Sequence, residues 1–336
     1  MIAAREPRVG SVRLLSIDRS RETLRDHAFE AIASRVRSGD VWVVNDAATL
    51  PASLAGRVHG REVELRLVSR RSKGLWRAVL FGEGSWRDDT DTRPAPPTVS
   101  VGDIVELGGA LRAAIVERDP RSERLITVRF APEGDAFWRA LYRFGRPIQY
   151  SYVARELRLG EVQTEYASRP WSVELPSAGR PLSARVMANM RREGAQIVSL
   201  THAAGISATG DPVLDALLPL PERYELSNAT VRAVQRARDD GRRVVAVGTS
   251  TARALEGNVR SHGRLTAGAY ETDLVVGPAT SLAVVDALLT GAHDPTSSHY
   301  QLLRAFVSES LLQKAGRASE RLGYLGHELG DSWLVE

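Results

Sequence analysis

The feature that most constrains the fold of this 336-residue chain is a change of pattern over residues 53–130. Short runs of alternating apolar residues, such as 62–68, 75–80 and 125–130, are separated there by polar turns. Alternation with a period of two indicates strands with one buried face, and several such strands at regular spacing are typical of a small antiparallel barrel. We therefore expect a β-barrel in this part of the chain.

The segments on either side of the barrel mix helices with strands. Strands are predicted at 12–17, 41–44, 197–200, 243–247 and 273–276, and helices at 29–36, 184–194, 228–239, 252–260, 280–289 and 299–315. Such alternation indicates an α/β layer. The predicted fold class is α/β, with a discontinuous α/β catalytic domain at 1–52 and 136–336 and a small antiparallel β-barrel domain inserted at 53–135.

The composition excludes several kinds of site. The chain has no cysteine, so it has no disulfide, thiolate zinc site or cysteine-ligated iron–sulfur cluster. Its seven histidines are scattered, and we expect no metal. No run approaches the roughly 18 consecutive apolar residues of a membrane span, so we expect a cytoplasmic protein without membrane contact. The 45 basic and 41 acidic residues leave a net charge of +4, which alone does not establish an RNA partner.

The clearest local signal is a strand that runs into a glycine and hydroxyl turn and then into a helix, GRRVVAVGTSTARALE at 241–256. Backbone N–H groups and the positive end of the helix dipole favour an anion at such a turn. A hydroxyl-capped turn without a ligand would carry the same letters, so both interpretations stay open. The candidate binding residues are Gly248, Thr249, Ser250, Thr251 and Arg253.

Three earlier segments combine tyrosines with amides and hydroxyls. A tyrosine ring can stack on a planar base while amides and hydroxyls contact the edge of that base. A loop that packs its tyrosines into the core is the alternative. The candidate substrate-binding residues in these segments are Gln149, Tyr150, Gln163, Tyr166, Ser177 and Gly179.

Two of the histidines, His293 and His299, lie in one predicted loop before a helix. No third ligand has a spacing suited to a metal site. We expect a substrate contact or a helix cap there.

Taken in chain order, five segments resemble the S-adenosylmethionine:tRNA ribosyltransferase-isomerase family of the queuosine pathway. The chain has GD, ND and LPA within 39–52, QTEYA at 163–167, PSAG at 176–179, AVGTSTARALE at 246–256 and GD at 330–331. These are similar to the family motifs G-D-x-x-V-x-N-D-T-R-V-x-P-A-R, Q-T-V-Y-A, P-T-A-G, A-V-G-T-T-S-V-R-A-L-E and G-D. The collinear matches cover nearly the whole chain, which is identified as a divergent member of the family.

The resemblance implies an α/β domain with an inserted barrel and S-adenosylmethionine as co-substrate, with no metal. In the family reaction a base removes a proton from the 5′ carbon of S-adenosylmethionine, next to the sulfonium. That carbon then attacks the aminomethyl group of a 7-deazaguanine in a tRNA anticodon. Rearrangement of the ribose expels adenine and methionine.

The resemblance also implies roles for residues at the matching positions. The turn and the tyrosine segments would hold S-adenosylmethionine and substrate, and Asn45 and Asp46 would contact substrate as well. His202 or His293 would be the base or a polar contact, although His202 could equally be a core histidine. Glu222 and Asp331 would orient the substrate.

Several family positions are replaced in this chain. Ala47 and Ala48 stand where the family has threonine and arginine, Ser53 stands at its next arginine, and the two histidines that precede the family's glutamate are absent before Glu222. Arginines and aromatics are the groups expected to contact RNA phosphates and stack on bases, so the sequence supports tRNA less strongly than S-adenosylmethionine. The alternatives are a paralogue that uses another nucleoside or small-molecule acceptor, and a non-catalytic nucleoside- or RNA-binding protein. A monomer is the default expectation.

Overall fold

The computed structural model of the protein describes residues 1–8, 10–72, 74–295 and 297–336. Its strands are β1 Ile2–Ala3, β2 Arg13–Asp18, β3 Thr23–Ala28, β4 Val41–Asn45, β5 Ala47–Thr49, β6 Ser53–Val58, β7 Arg61–Ser72, β8 Leu75–Phe81, β9 Ile104–Gly108, β10 Leu111–Arg118, β11 Leu125–Ala131, β12 Arg169–Ser172, β13 Gln196–His202, β14 Glu222–Leu226, β15 Val244–Val247, β16 Gly268–Thr272, β17 Ala287–Gly291, β18 Leu325–Gly326 and β19 Ser332–Val335. Its α-helices are α1 Gly134–Phe144, α2 Ala184–Arg192, α3 Pro212–Asp215, α4 Asn228–Asp239, α5 Thr249–His262, α6 Ser298–Leu303 and α7 Glu309–Leu322. Short 3-10 helices lie at Phe29–Arg35, Thr90–Thr92, Leu159–Val162 and Ser177–Gly179.

In the described chain, six strands close into an antiparallel barrel, in the order β10-β11-β8-β7-β6-β9. The hairpin from β6 to β7 turns through His59 and Gly60, both with positive φ, as in the type I′ turns whose twist matches that of the strands they join. Leu65 is among the side chains that fill the barrel, and Phe137 and Leu141 of α1 pack into the same cluster. The predicted barrel is confirmed, whereas the division into two domains stays a prediction.

The main sheet of the described chain has nine strands, in the order β16-β14-β13-β4-β15-β17-β19-β2-β3. Strand β4 runs parallel to β13 and β15, and β15 runs parallel to β17, so this part of the sheet consists of parallel strands. At its two ends, β14, β16 and β3 pair antiparallel with their neighbours.

Helices cover both faces of this sheet, and the alternation of side chains along β4 shows how. Val43 packs on one face with Leu255 of α5, in a cluster that also holds apolar residues of α4 and α7. Trp42 packs on the opposite face with Met190 of α2 and Phe29. Since adjacent residues of a strand point to opposite faces, one buried strand contributes to two cores. The predicted α/β class is confirmed.

Two predicted elements before β17 are wrong. Residues 273–276 form no strand, and residues 280–289, expected to be a helix, are irregular up to β17. The cause is the buried carboxylate of Glu256, which accepts the backbone N–H groups of residues 283–285 at 2.7 to 2.9 Å. Donors bonded to a side chain are no longer available to a helix, and the apolar spacing of the segment does not reveal this.

The helix expected at 299–315 is divided in two. Helix α6 ends at Leu303, and α7 begins at Glu309 after Ser308, whose hydroxyl accepts the N–H of Leu311. Serine is a favoured N-cap because its oxygen satisfies a donor that the helix cannot. Within the described ranges, no helix is long and apolar enough to cross a bilayer.

Candidate active site

A cavity of about 460 Å³ lies at the carboxyl ends of the parallel strands. Asn45, Val247 and Gly291, which end β4, β15 and β17, contribute to its lining. Ligands of α/β sheets bind at this edge, and small-molecule sites have volumes of roughly 300–1,000 Å³. The position and the volume both fit a ligand site.

The turn after β15 forms part of the cavity wall. Gly248 has a φ of 93°, and α5 begins at Thr249, so the N-terminal end of this helix faces the cavity. Gly248, Thr249, Ser250 and Arg253 all line the cavity. Thr251, which was predicted with them, is fully buried, and its hydroxyl donates to the carbonyl of Val247 at 2.7 Å. The turn therefore offers backbone N–H groups and hydroxyls to a ligand, while Thr251 holds the turn on β15.

Glu222, at the start of β14, is a buried carboxylate in the lining. Its Oε1 accepts the N–H of Gly205 at 2.6 Å, while its Oε2 pairs with the guanidinium of Arg253 and lies 3.0 Å from Nε2 of His202. Burial raises the pKa of Glu222, but Arg253 and His202 outweigh burial and hold the pKa at about 2. Glu222 is therefore ionised at neutral pH, and its negative charge is already compensated.

His202 is fully buried next to the cavity and is not part of its lining. Its Nδ1 lies 2.7 Å from the carbonyl oxygen of Ser250, to which it can only donate. The side-chain amide of Asn45 bonds to both backbone groups of His202, at 2.9 and 3.0 Å. His202 thus connects β4, β13 and the first turn of α5. The contacts agree with the core-histidine interpretation and with support of Glu222.

His293 and His299 lie together on another wall of the cavity. Their rings stack with centroids 4.9 Å apart and planes 9° apart, and Nε2 of His293 lies 2.6 Å from the hydroxyl of Thr290. Burial, followed by the neighbouring His299 and His327, lowers the pKa of His293 well below its usual range. His293 is therefore neutral at physiological pH, with a ring that can take up a proton.

Glu174, which the sequence analysis missed, lines the cavity two residues before the PSAG motif. Its Oε1 accepts the backbone N–H of Ser207 at 3.0 Å and the hydroxyl of Tyr150. Burial raises the pKa of Glu174, and burial and the neighbouring Glu174 raise that of Tyr150. Tyr150 does not itself line the cavity but supports a residue that does.

Glu328, the second missed carboxylate, lies in the lining two residues before the closing GD motif. Burial raises the pKa of this group. Its Oε2 is buried and has no hydrogen-bond partner among the described residues. An unpartnered buried carboxylate oxygen is costly, so a cationic ligand group would be favoured beside it.

Tyr166, Ser177 and Gly179 meet at the cavity lining. The hydroxyl of Tyr166 approaches Gly179 so closely that a Cβ at this glycine would lie 1.9 Å from it. Burial raises the pKa of Tyr166. The tyrosine and the PSAG segment thus form one packed wall, and they require glycine at position 179.

Besides His202, Thr251 and Tyr150, four more predicted residues lie outside the lining, namely Asp46, Gln149, Gln163 and Asp331. Asp46 accepts two hydroxyls of β13 at 3.1 and 2.6 Å, and Gln163 bonds to both backbone groups of Thr49 at 2.9 Å. Gln149 holds the loop at 155–157 through two backbone bonds, and Asp331 accepts two backbone N–H groups at 2.8 Å and the guanidinium of Arg8. These contacts stabilise the scaffold, and their predicted contacts with a ligand stay predictions. Within the described ranges, no three acidic or histidine side chains are grouped to hold a metal ion.

Comparison with known proteins supports the motif-based assignment. A family model described as queuosine biosynthesis protein matches residues 2–335. The S-adenosylmethionine:tRNA ribosyltransferase-isomerase of Thermus thermophilus is 34% identical over 310 residues, covering 89% of this chain and 85% of that protein. The protein of the same name from Syntrophotalea carbinolica is 32% identical over 331 residues, covering 96% and 92%.

The crystal structure of the Thermotoga maritima S-adenosylmethionine tRNA ribosyltransferase has the same fold. It aligns with a TM-score of 0.53 at 23% identity, covering 100% of this chain and 96% of that one. The expected resemblance is confirmed, and the chain belongs to the family of queuosine biosynthesis proteins.

Proposed function

We propose that the protein is an S-adenosylmethionine-dependent ribosyltransferase-isomerase that modifies a 7-aminomethyl-7-deazaguanine in tRNA. The family model and the names of the relatives support this activity. They do not favour another acceptor or a purely binding role. The observation in the structure that carries the proposal is the cavity, which brings the glycine turn at Gly248 together with the carboxylates of Glu174, Glu222 and Glu328 and a neutral histidine.

The charges of the lining suit a ligand with two cationic groups and one anionic group. S-adenosylmethionine carries a sulfonium, an ammonium and a carboxylate. The N-terminal end of α5 favours the carboxylate. Glu328 favours a cation, because its unpartnered oxygen would gain a charge-assisted hydrogen bond from an ammonium. Arg253 is paired with Glu222, so its main role is to hold that wall of the cavity.

His293 is the group that we assign as the base. The family reaction requires removal of a proton from carbon, and a general base must be unprotonated at the working pH. The lowered pKa of His293 meets this requirement, because it keeps the ring unprotonated at neutral pH. Glu222 is a weaker candidate, because its oxygens are already engaged by the N–H of Gly205, by Arg253 and by His202. His202 lies behind the lining and would act on Glu222, not on the substrate.

The test is calorimetric titration of the purified protein with S-adenosylmethionine, followed by chromatographic detection of adenine and methionine. The second step is run with and without tRNA that carries the 7-aminomethyl-7-deazaguanine. We expect binding in the first step and release of adenine only with that tRNA. Binding without tRNA-dependent release would contradict the proposed acceptor, and absence of binding would contradict the proposal as a whole.

A matched pair of variants tests the site. Glu328→Gln keeps the shape of the side chain and removes its charge, and we expect it to weaken S-adenosylmethionine binding at least tenfold, on the order of the 2 kcal/mol or more of a buried charge pair. Glu123→Gln makes the same change on the exposed surface of the barrel and should leave binding unchanged. Equal S-adenosylmethionine affinities for the two variants would show that the charge of Glu328 does not contribute to binding.

A further inference from the structure

A second cleft, of about 120 Å³, lies between the barrel and the end of the main sheet. Its walls carry the indoles of Trp76 and Trp138 on the barrel side and of Trp171 on the β12 side. Two guanidiniums, those of Arg70 and Arg223, line it as well. Trp138 and Trp171 are both partly exposed, so the cleft presents flat aromatic surface to solvent.

The arginines of this cleft lie over the tryptophans. The guanidinium carbon of Arg223 is 3.5 Å from the ring centroid of Trp171, and that of Arg70 is 5.9 Å from the ring of Trp138. Cation–π contacts of this kind hold a guanidinium in place while its N–H groups remain available as donors. The cleft therefore combines oriented donors with stacking surfaces.

The positive charge of the cleft is only partly compensated. Among the described residues, Arg169 pairs with Glu225 at 2.8 Å, but neither Arg70 nor Arg223 has a carboxylate within ion-pair distance. Glu271 lines the cleft opposite Arg223 on β16, beyond that distance. Burial, and then repulsion from the guanidinium of Arg70, lower the pKa of Arg223, while Glu225 and Glu271 raise it. An anion between them would relieve this repulsion.

We propose that this cleft binds a single-stranded segment of the RNA acceptor, with a base stacked on the indoles and a phosphate on the guanidiniums. Stacking on aromatic side chains and salt-dependent contacts with arginine are the chemistry by which proteins hold unpaired nucleotides. The proposal rests on the proposed function for the identity of the acceptor, and adds where that acceptor is held.

The cleft lies on the opposite side of β14 from the active-site cavity. Glu222 lines the cavity, whereas Arg223, the next residue, lines the cleft. The nucleotide in the cleft is therefore not the reacting one but a neighbour along the strand. The two cleft arginines would contact phosphate in a chain that lacks the family arginines at positions 48 and 53.

The test measures the affinity for a fluorescently labelled RNA hairpin with an unpaired loop, by anisotropy at several salt concentrations. Arg223→Gln should weaken binding about tenfold and reduce the slope of log affinity against log salt by about 1. Trp171→Ala should weaken binding roughly 5- to 150-fold, the range for loss of one stacked base. Arg321→Gln on α7, at the opposite end of the sheet, makes the same charge change as a control and should have no effect.

Three outcomes would overturn the proposal. They are unchanged affinity in both cleft variants, an equal loss in Arg321→Gln, and equally tight, cleft-dependent binding of a fully paired RNA duplex. Unchanged RNA affinity together with cleft-dependent binding of polyglutamate would indicate an acidic polypeptide instead. Should Trp171→Ala fail to fold, Arg223→Gln alone decides. Calorimetry with S-adenosylmethionine on the same samples separates the two proposals. Absence of S-adenosylmethionine binding in the unsubstituted protein would contradict the proposed function, and it would leave the proposal of RNA binding in the cleft untouched.

Discussion

Substitution of Glu222 by glutamine tests the charge network behind the cavity. The change keeps the size of the side chain and leaves Arg253 without its carboxylate. The folded-state pKa of Glu222 is about 2, against a usual value of 4.5. At 1.36 kcal/mol per pH unit, this difference corresponds to about 3 kcal/mol of stability at pH 7. Removal of one partner from other buried ion pairs costs a similar roughly 3–5 kcal/mol.

The sign of the pH dependence follows from the same pKa. Because the folded-state pKa is depressed, the stabilisation is fully present above pH 4.5 and is lost as pH falls toward 2. At pH 3 less than half of it remains, about 1 kcal/mol. The difference in unfolding free energy between the parent protein and Glu222→Gln should therefore shrink from pH 7 to pH 3.

Urea denaturation followed by tryptophan fluorescence measures both differences. Glu225→Gln is the matched control on the same strand, because both side chains of its ion pair with Arg169 are partly exposed and the pair should contribute less than about 1 kcal/mol. A loss below about 1 kcal/mol for Glu222→Gln at pH 7, or the same loss at pH 3 and pH 7, would refute this account of the network.

Two further predictions concern the cavity wall and the base. Gly179→Ala places a methyl group 1.9 Å from the hydroxyl of Tyr166 and should destabilise the protein by about 1–3 kcal/mol in thermal denaturation. Adding Tyr166→Phe to this variant should restore most of the lost stability, because the clashing oxygen is gone. Additive losses in the double variant would show that the two residues do not meet. His293→Ala should lower kcat by about 100-fold or more. Because the pKa of His293 in the free protein lies well below 6.5, kcat/KM of the parent protein should show no protonation step near pH 6.5 that His293→Ala abolishes, and such a step would contradict the lowered pKa.

The parts of the fold that could be predicted are those governed by local pattern. Alternating residues in 62–68 and 125–130 indicated barrel strands, and the run into Gly248 indicated a strand, a turn and a helix. Both signals reflect short-range chemistry: one buried face, and a backbone angle that favours glycine. The helix predicted at 280–289 was wrong because its N–H donors bond to Glu256, a residue some thirty positions earlier. No local pattern carries that information.

The candidate site was predicted in part for the same reason. The turn residues reach the cavity because the motif itself builds the turn. Glu174 and Glu328 were missed because a glutamate beside a motif has no period or spacing that marks it, and only the fold shows that it faces the cavity. The scaffold contacts of Gln163 and Asp331 could not be separated from ligand contacts, because amides and carboxylates serve both purposes.

Glu222 and Arg223 are adjacent on β14 and face opposite sides of it, which limits the insertions that this strand can accept. A shift of one position exchanges the two faces of a strand, so a single inserted residue would carry Arg223 into the space of Glu222, against the guanidinium of Arg253. The same shift would bring Tyr224 into the place of Arg223, so the cleft would lose a guanidinium while the cavity lost a carboxylate. Two inserted residues would restore the parity of the faces. Among related chains, lengths of this segment should therefore differ by even numbers.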